Sequence, residues 1–305
     1  MTHESDFTYL DRCVCNLAVT VWVLYRIFSS SAGISGFIPF RRLLNGDLKP
    51  IITLLLTFSL ILVITSDALA TLVKYQEGFI NVNTIVISKP KTMWQPINLK
   101  LSKIADSLLN FSFAFLTSSL FLLHSFWHFM VKTLTRMSFM SSLEFRLYLV
   151  YSFLSLALYP TLQFWYLHDT AKATVIPQFA FCAEGCFIVI SAAFNHVRLR
   201  TVLREISTAS RSPSHVSQFL QTNLWLGLSL TLMWVSLLIV NVEFIGFVGN
   251  PSKFTSDLLL KLFNLGYPLT FMNMYSILLP AGQDYPQVGI ESFDLGLKPM
   301  TVSFV

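Results

Sequence analysis

The sequence predicts an all-α integral membrane protein: a seven-transmembrane helix bundle with its N-terminus outside and its C-terminus in the cytosol. Three observations predict it. Of the 305 residues, 54% are hydrophobic and only 12% charged. That is about half the charged share of a soluble domain, and mean hydropathy is +0.62. The apolar residues gather into seven stretches of near-spanning length, apolar all round rather than alternating with period two, which favours helices over barrel strands. Arginine concentrates in the breaks on one side of those stretches, as the positive-inside rule requires.

A spanning helix needs about 20 mostly apolar residues, and flanking charges bound each stretch. The first covers 13–32. Arg12 and Arg26 leave thirteen uncharged residues between them, so one or both is expected to snorkel to the interface. The second, 50–72, is interrupted by Asp67. The third, 107–131, contains no Asp, Glu, Lys or Arg, and the fourth, 147–167, carries Pro160. Glu184 lies in the fifth, 175–197, and Glu243 in the sixth, 219–248. The seventh, 256–279, holds Lys261 and Pro268. Proline within a spanning helix is tolerated and usually kinks it. Residues 1–12 form an extracellular N-terminus, 13–280 the transmembrane domain and 281–305 a cytosolic tail. The first eleven residues carry Glu4, Asp6 and Asp11 and no Lys or Arg, the reverse of a basic n-region, so no cleavable leader is expected. Cys13, Cys15, Cys182 and Cys186 all fall in or at apolar stretches and read as free apolar side chains.

Orientation follows from arginine. Arg26, Arg41, Arg42, Arg136, Arg146, Arg198, Arg200, Arg204 and Arg211 fall on one side, and only Arg12 on the other. With lysine included the division is 12 against 9, five of the nine being lysines in the long second break, 73–106. That break carries a β-branched run over 78–88 around an Asn-Val-Asn turn signal. It predicts a small hairpin on the outer surface. The hairpin is either a lid over a ligand pocket or a loop anchored on the membrane interface by Trp94 and its lysines.

An ionisable residue inside a span is costly and marks a functional site by default. At about 1.5 Å per residue, Asp67 and Glu243 fall in the outer third, Glu184 near the midplane, and Asp257 and Lys261 at the outer end of span seven. One turn apart, those last two are placed to pair. Asp67, Glu184, Glu243 and Lys261 are therefore expected to share an outer-half ligand cavity, with Gln178, Asn241 and Tyr267 adding hydrogen bonds. The alternative is that these groups only orient helix packing. His124 and His128 share a face of span three, a spacing that suits a metal, but about 12 Å deeper than Glu184 at the same rise. They read as interfacial packing residues, and no metal, cofactor or catalytic group is expected.

Arg198, Arg200, Arg204 and Arg211, with the serines that follow, form a basic cytosolic segment suited to a partner or to phosphorylation; simple positive-inside bias explains the same residues. Seven helices, an outer N-terminus and a basic loop after the fifth helix resemble a G-protein-coupled receptor over nearly the whole chain. The resemblance is of architecture. Span three ends in Phe126-Trp127-His128-Phe129 in place of the acidic-Arg-aromatic triplet, and Gly266-Tyr267-Pro268 with Tyr275 does not reproduce Asn-Pro-x-x-Tyr. Asp257 and Lys261 are similar in spacing to the last helix of microbial opsins, with the lysine nearer the helix end. The resemblance implies a plasma-membrane receptor that takes a small-molecule or peptide ligand and couples to a heterotrimeric G protein or another cytosolic partner, with the lipid bilayer as its solvent and no nucleic acid. A transporter or channel, and a membrane-embedded lipid-modifying enzyme, are the alternatives.

Overall fold

The computed structural model describes residues 8–29, 37, 43–44, 48–82, 85–134, 143–207, 214–244 and 253–279. The predicted tail 281–305, the turn at 83–84 and Arg211 lie outside the described residues, as do the side chains of His128, Arg204 and Glu243. Seven long helices dominate the described residues: α1 (Thr8–Ser29), α2 (Leu48–Glu77), α3 (Pro96–Leu134), α4 (Leu143–Trp165), α5 (Thr170–Ser207), α6 (Ser214–Phe244) and α7 (Lys253–Leu278). Six of them, α1 to α6, contain a segment long and apolar enough to cross a membrane. A multi-pass helical membrane bundle follows.

Local chemistry explains several boundaries. Pro96 opens α3, where the missing N–H costs no helical bond, and Pro50 sits in the first turn of α2 for the same reason. Asp169 accepts the Lys172 backbone N–H at 3.2 Å, capping the start of α5. Gly78 ends α2 at φ 68°, a left-handed conformation that costs glycine little. The helices also run past the apolar stretches. α1 begins at Thr8, before Arg12, because Arg12 is neutralised inside the bundle rather than drawn out to the interface.

α3 is the centre of the bundle. Its apolar window is 78% buried, against 44% or less in the other five, and it packs on α2, α4 and α5. Small hydroxyl residues make its seams. Ser59 Oγ donates to the Ser112 carbonyl at 2.8 Å, and Ser112 Oγ returns a bond to the Ser59 carbonyl at 2.9 Å. One heptad away, Ser66 donates to the Ala105 carbonyl at 2.7 Å, so α2 and α3 stay antiparallel and in register. Ser118 and Ser152 at 2.5 Å, and Gln163 with Ser107 at 3.0 Å, keep α3 and α4 in a similar register. Such small-residue interfaces let helix backbones approach closely where lipid offers no hydrophobic drive for association.

Behind these seams the core is aromatic. Phe113 stacks on Phe181 at 4.1 Å between ring centroids, and Trp234 meets Phe181 edge-on at 5.6 Å. Tyr267 and Phe271 complete the group at 5.3 Å.

Between α2 and α3 the β-branched run forms a two-stranded antiparallel hairpin. β1 (Phe79–Val82) pairs with β2 (Ile85–Ser88), Phe79 opposite Ser88. Trp94 follows on a short 3₁₀ turn, Lys91–Met93. It is buried, 9% exposed, and its indole donates to the Lys89 carbonyl at 2.7 Å.

Candidate functional site

Asp67 sits late on α2 and is completely buried. Its partner is Arg12 of α1. Arg12 Nε reaches both carboxylate oxygens, at 3.0 and 2.9 Å, and its Nη2 lies 2.5 Å from Oδ1. Two charges inside a low-dielectric bundle are tolerable when the geometry is this complete. The guanidinium also lies 5.6 Å from the Phe263 ring centroid and 5.7 Å from that of Tyr9, each a cation–π contact. Asn16, one turn along α1 on the same face, is fully buried.

Glu184 sits midway along α5 and is only partly buried. The Tyr159 hydroxyl donates to its Oε2, and Ser155 Oγ lies 2.9 Å from the same oxygen. Tyr159 also contacts Thr117 Oγ1 at 3.3 Å, which ties the carboxylate through α4 to the centre of α3. Ser155 lies 2.9 Å from the Tyr151 carbonyl as well. Both hydroxyls therefore face the same carboxylate oxygen, Ser155 sharing its proton with the Tyr151 carbonyl. Among the described residues no Lys, Arg or His pairs with Glu184.

The two carboxylates are not brought together. Asp67 adjoins α3 beside Ala105, through its neighbour Ser66; Glu184 joins it at Thr117. Those registers are roughly 18 Å apart along a helix. Between them stand Ser112, Phe113 and Tyr267.

The other sequence-predicted residues fall as follows. Lys261 lies on the exposed surface and donates to Asp11 of α1 at 2.9 Å; the partner proposed from spacing, Asp257, has a buried Oδ1 without a hydrogen bond. Tyr267 is fully buried and lies 3.0 Å from Ser112 Oγ. Asn241 is buried on α6 and reaches Cys182 Sγ at 3.8 Å. Gln178 is half-buried on α5, and Arg198 and Arg200 are exposed near its far end. Glu243 is on α6. His124 is buried, its Nδ1 2.8 Å from the Leu120 carbonyl. No group of three metal-binding side chains occurs among the described residues.

Sequence reasoning missed three participants. The sequence has one or both of Arg12 and Arg26 snorkelling to the interface, although an Arg and an Asp near the ends of adjacent spans is itself a pairing signal for Arg12. Tyr159 was hidden in a stretch valued for lacking charge. The serine and threonine stripe Ser112, Thr117, Ser118 and Ser119 on α3 is legible as four hydroxyls in one span, all buried.

The hairpin is held by one side chain. Glu77 accepts Lys89 Nζ at 2.6 Å, Asn98 Nδ2 at 2.7 Å and the Gln95 backbone N–H at 2.7 Å. It lies beyond the apolar run 50–72, where the bonds from Lys89 and Asn98 hold its carboxyl down at about 2. Two surface recesses accompany these groups. One, of about 510 Å³, lies between α1 and α2 against Leu10, Cys13, Ala68 and Thr71. The other, of about 360 Å³, is lined on α5 by Val175, Ile176, Phe179 and Ala180. No protein-family model matches the chain, and no curated protein or solved structure matches it.

Proposed function

We propose that this membrane bundle is a receptor-like protein of seven spans. In this reading α7 is the seventh span, the N-terminus is outside, the C-terminus is cytosolic, and the protein works at the plasma membrane. The observation that carries the reading is the way α7 is held. It is not among the six helices with a segment long and apolar enough to cross a membrane, yet it bonds to four of them. Lys261 and Asn264 reach Asp11 and the Thr8 carbonyl of α1, both at 2.9 Å. Tyr267 reaches Ser112 of α3 at 3.0 Å. Thr270 and Asn273 lie 3.4 and 3.3 Å from Ser229 of α6. Tyr275 meets Thr57 of α2 at 3.0 Å. At its far end Arg26 donates to the Leu279 carbonyl at 2.8 Å.

Pro268 interrupts the backbone ladder in the middle of these contacts. Gly266 lies so close to α6 that a Cβ there would stand 2.8 Å from the Met233 backbone nitrogen. A helix bonded to four neighbours and bendable at one point is suited to two alternative packings. A ligand with different affinity for the two would shift their populations. In this mechanism the ligand bears on Glu184, with Gln178 of α5 and Asn241 of α6 as further proposed ligand residues, and the basic end of α5 reports the change. Arg198, Arg200, Arg204 and Arg211 are the partner-binding residues of the proposal, and a heterotrimeric G protein is the partner class. The filled aromatic core, Phe113 on Phe181 with Tyr267 beside them, supports this reading over a transporter with a continuous polar path.

The test is co-purification of the full chain with a heterotrimeric G protein across a ligand screen, beside a solute-flux assay in proteoliposomes. A ligand-dependent complex without flux supports the proposal. Flux without a complex under any ligand overturns it in favour of transport.

A further inference from the structure

We propose that Glu184 and the recess outward of it on α5 form a membrane-facing site for a lipophilic amine. The inference rests on the receptor reading and names the ligand class of its central residue. A carboxylate at bilayer depth is expensive unless paired. Asp67 is paired with a cation and Glu184 is not: its partners are the neutral hydroxyls of Tyr159 and Ser155, and among the described residues no cation pairs with it. Glu184 is also partly exposed, so a group outside the protein can reach it.

Helix geometry places an apolar recess beside it. Ile176, Ala180 and Glu184 follow at four-residue intervals and share one face of α5. Ile176 and Ala180, with Val175 and Phe179, line the 360 Å³ recess, and Ala180 is one turn, about 6 Å, from Glu184. No charged residue lines that recess. A ligand seated there presents hydrocarbon to the recess and a hydrogen-bonding cation to the carboxylate. An ammonium on an alkyl or aromatic body fits both demands; an anionic or a purely apolar lipid meets the first and fails the second.

The experiment is saturable binding of radiolabelled dodecylamine to the full chain in nanodiscs, with empty nanodiscs subtracted and dodecanol as the uncharged competitor. Wild type should bind dodecylamine saturably, with dodecanol competing at least tenfold less well. Glu184→Gln should weaken binding by roughly tenfold or more, the scale of a charge-assisted hydrogen bond. Ala180→Trp, which fills the recess and leaves the charge, should weaken it as well. Equal competition by dodecanol, or unchanged affinity in both variants, overturns the proposal; the alcohol comparison needs no variant to fold. Amine binding with no coupled partner overturns the receptor reading alone. Ligand-dependent coupling without amine binding overturns this inference alone.

Discussion

Asp67 and Glu184 are both acidic residues within apolar helices, but their surroundings differ in kind. Asp67 is enclosed by α1, α2 and α7, with a two-pronged guanidinium on its carboxylate and aromatic faces on that guanidinium. Glu184 stands at the edge of α4 and α5 with neutral hydroxyls and partial exposure. The difference teaches that a charge in a span carries no meaning by itself. Where a partner of opposite sign is built in, the charge locks helices together. Where only weak donors are built in, the site has capacity left for something else.

The largest expected effect breaks the enclosed side. Arg12→Ala leaves Asp67 buried without its counter-ion and should cost about 3–5 kcal/mol. Arg12→Met combined with Asp67→Leu removes both charges and should recover most of that loss. Thermal unfolding in one lipid composition measures both. A double variant as unstable as the single one would deny that the lone charge is the source of the cost.

A smaller effect sharpens the other side. Behind Glu184, Gly185 lies against Trp234 so closely that a Cβ would stand 2.1 Å from the indole ring. Gly185→Ala must displace that ring and should cost about 1–3 kcal/mol. The α5–α6 seam is then rigid immediately behind a partly exposed carboxylate. A neutral outcome in the same unfolding measurement would show that the ring has room to move.

The smallest effect concerns the hairpin. Glu77→Gln should speed hydrogen exchange over 78–95 and leave the bundle's melting unchanged, because the carboxylate ties only local groups. Its folded-state carboxyl is depressed from 4.5 to about 2. The tie is therefore fully present above about 4.5 and lost as pH falls through about 2. Exchange protection that disappears near pH 4.5 instead would mean that Lys89 and Asn98 do not hold the carboxylate.

The bundle was legible because apolar length is a property of sequence alone: six of the seven stretches correspond to helices apolar enough to span. The hairpin at 79–88 was legible too, from its β-branched run. The ligand group was not legible as one site. Depth estimated from helix rise places residues along the bundle axis but says nothing of which face they occupy. Asp67 therefore turned toward α1 and Glu184 toward α4 without any signal in their depths. The same blindness left one or both of Arg12 and Arg26 to snorkel, since a charge is bounded as polar until its partner is seen. Lys261 illustrates the limit again: spacing offered Asp257 on its own helix, and tertiary packing supplied Asp11 from α1.

The contrast between the two carboxylates is tested most directly by neutralising each in the same preparation. Asp67→Asn and Glu184→Gln should be compared with wild type by thermal unfolding in identical nanodiscs without added ligand. Loss of the buried pair should lower the midpoint for Asp67→Asn by roughly 10 °C, at about 2–4 °C per kcal/mol. Glu184→Gln should leave it within about 2 °C, since no built-in cation is lost. Equal destabilisation by both substitutions would contradict the account and make Glu184 a structural residue like Asp67.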